Sequence, residues 1–112
     1  MDSHTIRLLA CTEEYRASTL LQQEVWGADY RELVPPTLLK IANRLGGIAA
    51  GAFRQDGTLD GLLFGLTGVV DGVPVHWSDT LAVRAGLRDQ GLGTRLKLFQ
   101  RDVLLARGVG RM

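Results

Sequence analysis

The dipeptide Asp71-Gly72 lies between two apolar segments, "TLDGLLFGLTGVV" and "VPVHWSDTLAV", and it constrains the fold more than any other feature of the chain. Asp-Gly favours the tight turn that joins two antiparallel strands through a two-residue loop. With these two residues as the loop, the register sets Phe64 against Asp79 and Leu62 against Leu81. One face of the second strand then carries Trp77, Asp79, Leu81 and Val83.

The segments before this hairpin read as one strand, two helices and another strand. "TIRLLA" is strand-like, and Thr12 is suited to cap a helix that runs to about Val25. After the loop "WGADYRELVPP", Pro35 or Pro36 opens a second helix, "TLLKIANRL", which Gly46 and Gly47 end. "IAAGAFR" then forms a strand that Asp56-Gly57 joins to the hairpin.

A third helix follows the hairpin, because apolar residues recur there at spacings of four and three: Leu92, Leu96, Phe99, Val103 and Ala106. Gly108 is its expected end, and "VGRM" resembles the start of a further strand. The order strand, helix, helix, three strands, helix predicts a single α/β domain over residues 1–112. Its sheet is expected to be mixed and mainly antiparallel, with helices on both faces.

Composition limits the functions open to the chain. A net charge of +1 over 112 residues offers no large field for nucleic acid or an acidic membrane. Cys11 is the only cysteine, and the chain has only two histidines, so a structural metal site is unexpected. The longest apolar run, "GLLFGLTGVV", is about half of the ~20 residues that a membrane helix needs. We therefore expect a cytoplasmic protein with no metal and no nucleic-acid or membrane partner.

The loop "RAGLRDQGLGT" before the third helix is the strongest candidate for a binding site. The first amides of a helix lack internal partners and point out together with the positive end of the helix dipole. Gly91 and Gly93 would let an anion approach these amides closely, with Arg88 and Arg95 to neutralise its charge. The alternative is a purely structural tight turn, since Gly-x-Gly is common.

Three other phosphate-binding motifs are excluded. No Gly-Lys-Ser/Thr occurs for a P-loop, and Leu96 stands where the dinucleotide-binding pattern needs glycine. "GGIAAG" at 46 to 51 runs from helix to strand, which is the wrong polarity.

The run Arg88-Asp89-Gln90-Gly91-Leu92-Gly93 matches Arg/Gln-x-x-Gly-x-Gly/Ala, and on this motif and its element order the chain resembles the GNAT acyltransferase superfamily. The segments "VWG" and "VPPTLLKIANRLGG" resemble an uncharacterised branch of predicted acetyltransferases within it. The resemblance implies acetyl-CoA as cosubstrate and an amine-bearing acceptor. It further implies that the cosubstrate's pyrophosphate is held by residues Arg88, Asp89, Gln90, Gly91, Leu92, Gly93 and Thr94.

The same resemblance implies that Leu81, Ala82 and Val83 align the pantetheine arm like an added strand, and that Arg84 approaches the adenosine end. The family often uses an acidic base on the fourth strand. Here that position falls on Trp77, so Asp79, one pleat away, is the candidate base. A solvated or ion-paired aspartate is the equally weighted alternative. His76 is expected to be half-buried on the opposite face. Oxyanion donors are expected near a bulge in the region of Leu81 to Val83.

Two parts of the expected machinery are missing or weak. The family's usual general acid is a tyrosine after a fifth strand, and neither Tyr15 nor Tyr30 matches it. The resemblance implies acceptor contacts from the loop between the first two helices, at Trp26, Asp29, Tyr30 and Glu32. The favoured interpretation is instead that Trp26 belongs to the core and that both acids are solvated. We expect the fold to be truncated at the start of the fifth strand and the chain to form a homodimer through the fourth. An acyltransferase, a non-catalytic acyl-CoA-binding module and a structural interaction domain remain open.

Overall fold

The structure is a computed structural model that describes residues 4–112. Within these residues the chain forms four strands, three α-helices and a short 3₁₀ turn at Arg88–Gln90. In chain order the elements are β1 Thr5–Leu8, α1 Thr12–Trp26, α2 Pro36–Arg44, β2 Ile48–Phe53, β3 Leu59–Val70, β4 Val73–Val83 and α3 Leu92–Ala106. The predicted order of elements is confirmed. None of the described helices is long and apolar enough to cross a membrane.

The sheet has the strand order β1-β2-β3-β4, and every described pair of strands is antiparallel. All six residues of β2 are buried, because helices cover both of its faces. On one face α1 and α2 contribute Tyr15, Leu21, Leu39 and Ala42 to a core, and on the other α3 contributes Leu92, Leu96 and Leu104 to a second core. Helices on both faces of the sheet are thus confirmed.

The β3–β4 hairpin turns at the predicted dipeptide, where Asp71 and Gly72 adopt positive φ angles of 51° and 79°. The pairing follows the predicted register as far as Gly65 and Ser78. Beyond them it shifts by one residue, so that Phe64 pairs with Thr80. Asp79 is therefore the extra residue of a β-bulge, and the predicted pairs Phe64–Asp79 and Leu62–Leu81 are wrong.

The bulge reverses the alternation of side chains along β4. Ser78 faces α3, where its hydroxyl accepts a hydrogen bond from Lys97. Leu81 also faces α3, since its Cδ2 would lie 3.7 Å from a Cβ placed on Gly93. Trp77 is on the opposite face from Leu81, and the prediction that both project from one face of β4 is wrong. The physical reason is the single extra residue at the bulge, because an alternation with a period of two assumes that no residue is inserted in the strand.

Helix α1 begins differently from the prediction. Cys11, rather than Thr12, is its N-cap residue, and it makes no side-chain capping bond. Instead, the Glu14 carboxylate accepts the amide of Ala10 at 2.8 Å and pairs with Arg7 at 2.7 Å. An acidic side chain in the first turn thus replaces the expected hydroxyl cap.

The segment after α3 returns to the outer edge of β4. The amide of His76 donates to the carbonyl of Arg111 at 2.9 Å, so the first contact expected of a further strand is formed. Past this point the outer edge of β4 carries no other described strand.

Candidate functional site

A cleft of about 300 Å³ opens where the second half of β4 meets the N-terminus of α3 and the end of α1. Its lining residues are Val25, Trp26, Leu81, Ala82, Val83, Arg88 and Gly93. Five of these were predicted from the sequence as binding residues, and the structure brings them together. The cleft is at the small end of the range of about 300 to 1,000 Å³ typical of ligand pockets.

The wall of the cleft formed by β4 presents unpaired backbone groups. The amide of Arg84 donates to the carbonyl of Asp60 at 2.8 Å, so it faces β3. Because backbone direction alternates along a strand, the groups of Leu81 and Val83 face the outer edge. These two residues can form ladder hydrogen bonds with an extended ligand, as Leu81, Ala82 and Val83 were predicted to do. The side chain of Ala82 belongs to the core beneath α1 and α2.

The floor of the cleft is the N-terminus of α3. Gly91 caps the helix with a φ of 77°, and the first bond of the helix runs from the Arg95 amide to the Gly91 carbonyl at 3.0 Å. The amides of Leu92, Gly93 and Thr94 therefore have no partner within the helix. A Cβ on Gly91 would meet no atom within 4 Å, so open space lies beside these amides.

The other residues of the loop differ in position. Arg88, Asp89 and Gln90 form the exposed 3₁₀ turn, and of these Arg88 lines the cleft. Leu92 is fully buried and anchors the helix, whereas Thr94 is exposed. Arg95 donates to the carbonyl of His4 at 3.0 Å and so reaches toward β1. Arg88 is therefore the cation of the loop that stands at the cleft itself.

Asp79, the predicted base, occupies the β-bulge. Its side chain is exposed and accepts a hydrogen bond from the Thr80 hydroxyl at 2.8 Å. It is not among the residues that line the cleft. The sequence analysis expected the bulge in the region of Leu81 to Val83. The observed bulge lies before that region, so backbone groups are redirected at Ser78 to Thr80 instead.

Arg84 lies in a charged group around one buried carboxylate, which we call the Asp60 cluster: His4, Glu24, Arg54, Asp60 and Arg84. Asp60 is fully buried and bonds to His4 at 2.7 Å, Arg54 at 2.6 Å and Arg84 at 3.0 Å. Arg84 also pairs with Glu24 and donates to the Leu59 carbonyl. Burial acts to raise the pKa of Asp60, but the hydrogen bonds from Arg54, His4 and Arg84 outweigh it and hold the pKa below its usual range. The guanidinium of Arg84 is thus directed into this cluster.

A second polar group, which we call the His76 network, consists of Thr67, His76, Ser78, Lys97 and Gln100. His76 is 1% exposed, so the expectation that it is half-buried is wrong. Its Nδ1 lies 2.9 Å from the Thr67 hydroxyl and its Nε2 lies 2.9 Å from Nε2 of Gln100. Gln100 also donates to Ser78 Oγ at 3.2 Å, and Lys97 donates to the same oxygen at 2.9 Å.

The sequence analysis missed this network, although one signal was present. Gln100 stands four residues after Leu96 and so falls on the apolar face of α3. A glutamine on that face must be hydrogen-bonded, since an unpaired buried amide is costly. The partner, His76, comes from the strand that α3 covers.

Trp26, the last residue of α1, lines the far side of the cleft, and Tyr30 of the following loop packs beside it. Trp26 is 40% exposed and its ring lies 5.4 Å from that of Tyr30. Trp26 lines the cleft and is not a core residue, so the interpretation of Trp26 as core is wrong. Asp29 and Glu32 are exposed.

No protein-family model matches the chain, and no curated protein matches it in sequence. Solved structures, by contrast, match the chain in their fold. An aminoglycoside acetyltransferase from an uncultured soil metagenomic sample, in complex with sisomicin, aligns with a TM-score of 0.83 at 18% identity over 97% of this chain and 74% of its own. A ribosomal-protein-alanine N-acetyltransferase from Brucella melitensis biovar Abortus 2308 aligns with a TM-score of 0.70 at 22% identity over 96% and 77%.

An aminoglycoside 6'-N-acetyltransferase complexed with coenzyme A aligns with a TM-score of 0.72 at 19% identity, covering 94% of this chain and 57% of that one. At these identities the likeness shows the fold. The motif at Arg88 to Gly93, the helices on both faces of the sheet and these structural neighbours agree, and the chain has the fold of the GNAT-type acetyltransferases.

Proposed function

We propose that the protein binds an acyl-CoA, acetyl-CoA in the first instance, and transfers the acyl group to a primary amine. The observation that carries this proposal is the cleft itself, where unpaired amides of α3, the open edge of β4 and Arg88 meet. The amides of Gly91, Leu92, Gly93 and Thr94 suit a pyrophosphate, since helix N-termini attract anions. The outward groups of Leu81 and Val83 suit the two amides of a pantetheine arm.

The transfer needs a neutral amine, a donor to the developing oxyanion and an acid for the departing thiolate. Asp79 is proposed as the base, because it lies at the bulge beyond the far end of the proposed arm. Its exposed carboxylate is open to an incoming amine. The backbone amides that the bulge redirects, from Ser78 to Thr80, are the proposed oxyanion donors.

The acceptor is proposed to enter past Trp26 and Tyr30. Trp26 lines the cleft and Tyr30 lies beside it, and their rings offer faces that can bind an ammonium group before it loses its proton. Two structural neighbours are acetyltransferases of aminoglycosides and one of a ribosomal protein alanine, and all three acceptors present a primary amine. An amine-bearing acceptor is therefore the proposed partner of the site.

Binding without turnover is the second candidate function. It is favoured by one observation, which is that Asp79 does not line the cleft and already accepts a hydrogen bond from Thr80. The two functions differ in a measurable way. If the protein is a catalyst, Asp79→Asn lowers turnover by about 10²- to 10⁴-fold and leaves acetyl-CoA affinity within a factor of a few. If it only binds, no variant at position 79 changes a rate.

The binding claim is tested by thermal unfolding with acetyl-CoA. At 100 times its dissociation constant, a ligand adds about 2.7 kcal/mol to the free energy of unfolding, enough to raise Tm by several degrees. Gly91→Glu is expected to abolish this rise, because its side chain would fill the open space beside the amides with the wrong charge.

Gly108→Glu is the matched control. Gly108 has the same φ of 77° and the same open surroundings, but it lies at the other end of α3. Both variants carry the same backbone strain and the same charge, so only the loss of ligand response separates them. A protein whose Tm does not respond to millimolar acetyl-CoA would contradict the proposed function.

A further inference from the structure

The Ser78 hydroxyl has an unusual hydrogen-bonding state. It accepts from Lys97 Nζ at 2.9 Å and from Gln100 Nε2 at 3.2 Å. A hydroxyl has two acceptor sites and one donor hydrogen, so both acceptor sites are filled. The remaining O–H must donate, and among residues 4–112 the structure shows no acceptor for it. Ser78 is exposed at the outer edge of β4, so this proton is offered to a ligand or solvent there.

Buried groups hold the hydroxyl in this state. Gln100 is fully buried and His76 nearly so, and Nε2 of His76 accepts from the Gln100 amide. Burial lowers the pKa of His76, and the positive charges of Lys97 and Arg107 lower it further, so the ring is neutral near pH 7. A neutral ring that accepts at Nε2 donates from Nδ1, and Thr67 is its partner. The Gln100 amide nitrogen is thereby fixed toward Ser78.

The position of Ser78 relative to the cleft follows from α3. Gly93, Lys97 and Gln100 are spaced by four and three residues and share one face of the helix. Gly93 packs beside Leu81 and Val83, whereas Lys97 and Gln100 bond to Ser78. The helix face therefore follows β4 from the cleft to the bulge. From Val83 to Ser78 the strand covers roughly 13 to 17 Å.

We propose that Ser78 and Lys97 form the subsite for the sulfur atom of the acyl-CoA. This inference rests on the proposed function and adds a residue pair to it. An arm that begins at the amides of α3 and pairs with Val83 and Leu81 next meets the Ser78 hydroxyl along the same edge. A thiolate accepts hydrogen bonds, and the ammonium of Lys97 supplies the compensating charge.

The pair also accounts for the proton that the departing sulfur needs. The acceptor nitrogen bonds to the carbonyl carbon, the carbon–sulfur bond breaks, and its electron pair goes to sulfur. The Ser78 O–H passes its proton to sulfur while Lys97 passes one to Ser78 Oγ. The amine loses its proton to Asp79, which passes it to solvent. Lys97 regains a proton from solvent, so protons and electrons balance.

The charged and titratable groups that surround this point come from three elements. Lys97 lies on α3, His76 and Asp79 lie on β4, and Arg107 and Arg111 lie on the segment that follows α3. His76 is neutral, so the cations outnumber the single carboxylate. The expected field favours a thiolate.

The test is an ultraviolet titration of the thiolate of free coenzyme A against coenzyme A bound to the protein. A cation within about 4 to 6 Å lowers the pKa of an acid by about 1 to 3 pH units. The bound thiol should titrate lower than the free thiol by that amount. Lys97→Met and Ser78→Ala should each return it toward the free value, and Ser78→Thr should keep the lowered value.

Lys40→Met is the matched control, since Lys40 is the chain's other lysine and is exposed on α2. It should leave the bound thiol unchanged. Binding of coenzyme A to each variant is measured separately by calorimetry. Coenzyme A that binds with an unshifted thiol, or with a shift that Lys97→Met does not reverse, overturns the sulfur subsite alone. Coenzyme A that does not bind overturns the proposed function and the subsite together.

Discussion

The two polar groups that the sheet buries, the Asp60 cluster and the His76 network, are built differently. In the Asp60 cluster every oxygen of a buried carboxylate is bonded to a cationic side chain or a histidine. In the His76 network, neutral side chains are linked from Thr67 to Ser78, where Lys97 adds one cation and the Ser78 hydroxyl is exposed. The first, closed group joins elements of the fold around a carboxylate whose oxygens are all bonded, whereas the second, open group leaves an exposed hydroxyl that can act on a ligand.

The two groups also differ in the number of elements that they connect. Asp60 ties together β1, the β2–β3 turn, β3 and the residue after β4, through His4, Arg54 and Arg84. Ser78 ties α3 to the last position before the bulge, and Gln100 Oε1 remains without a partner among the described residues. This difference teaches that burial of a polar residue does not by itself indicate a site. The exposed Ser78 hydroxyl at the end of the network is what indicates one.

The largest expected effect comes from opening the closed group. Asp60→Asn leaves Arg54 and Arg84 without their shared carboxylate, and each such charged hydrogen bond contributes about 1.5 to 3 kcal/mol. Urea unfolding should show this loss, together with little change in the acetyl-CoA affinity of the protein that remains folded. Glu13→Gln, an exposed carboxylate of α1, is the control and should cost less than about 0.5 kcal/mol. A loss for Asp60→Asn as small as the control's would show that the cluster is not closed.

A smaller effect is expected from crowding the open group. A Cβ on Gly65 would overlap the His76 ring and lie 2.8 Å from the Trp77 carbonyl, so Gly65→Ala should destabilise the protein by about 1 to 3 kcal/mol. Gly68→Ala lies three residues along β3, where a Cβ meets nothing within 4 Å. Equal unfolding free energies for the two variants would contradict the packing of His76 on Gly65.

Acid should affect the two groups in different pH ranges. The folded pKa of His76 lies below its usual 6.5, so the unfolded chain binds a proton first and stability falls as the pH drops below about 6.5. The folded pKa of Asp60 lies below its usual 3.8, so its contribution is complete above that value and is lost as the pH drops further. Urea unfolding at a series of pH values should show His76→Gln removing only the first slope and Asp60→Asn only the second. The opposite assignment would contradict both environments.

Much of the fold could be predicted because its signals are local. Asp71-Gly72 gave the hairpin, Pro36 the start of α2, and the spacing of Leu92 and Leu96 the face of α3. The glycine loop before α3 could be located for the same reason, since a helix N-terminus and its glycines are consecutive residues.

The errors lie where a long-range contact decided the structure. Nothing local to Asp79 shows that one extra residue is accommodated there, and this bulge displaced every pairing beyond it. Asp60 and Gln100 stand in apolar runs, and their partners Arg84 and His76 are 24 residues away in each case. Such pairings depend on which strand a helix covers, and no periodicity encodes that.

The smallest expected effect concerns self-association. Among residues 4–112 no strand pairs with the outer edge of β4, and exposed apolar side chains lie on the β3–β4 hairpin, with Val69 at 72% and Trp77 at 71%. Open edges and apolar patches favour pairing, so we expect a two-fold dimer at micromolar concentration. Trp77→Lys should weaken the dimer in light scattering, and Leu45→Lys, at an exposed site after α2, should not. A monomeric wild-type protein would contradict this expectation.

The central claim is that the cleft between β4 and α3 binds an acyl-CoA, and amide chemical shifts measured by NMR during an acetyl-CoA titration test it most directly. The amides of Leu81, Val83, Gly91, Leu92, Gly93 and Thr94 should shift together and saturate with one dissociation constant. Residues of the Asp60 cluster should stay in place, because that group is closed. No saturable shift at millimolar acetyl-CoA, or shifts confined to residues away from the cleft, would contradict the claim.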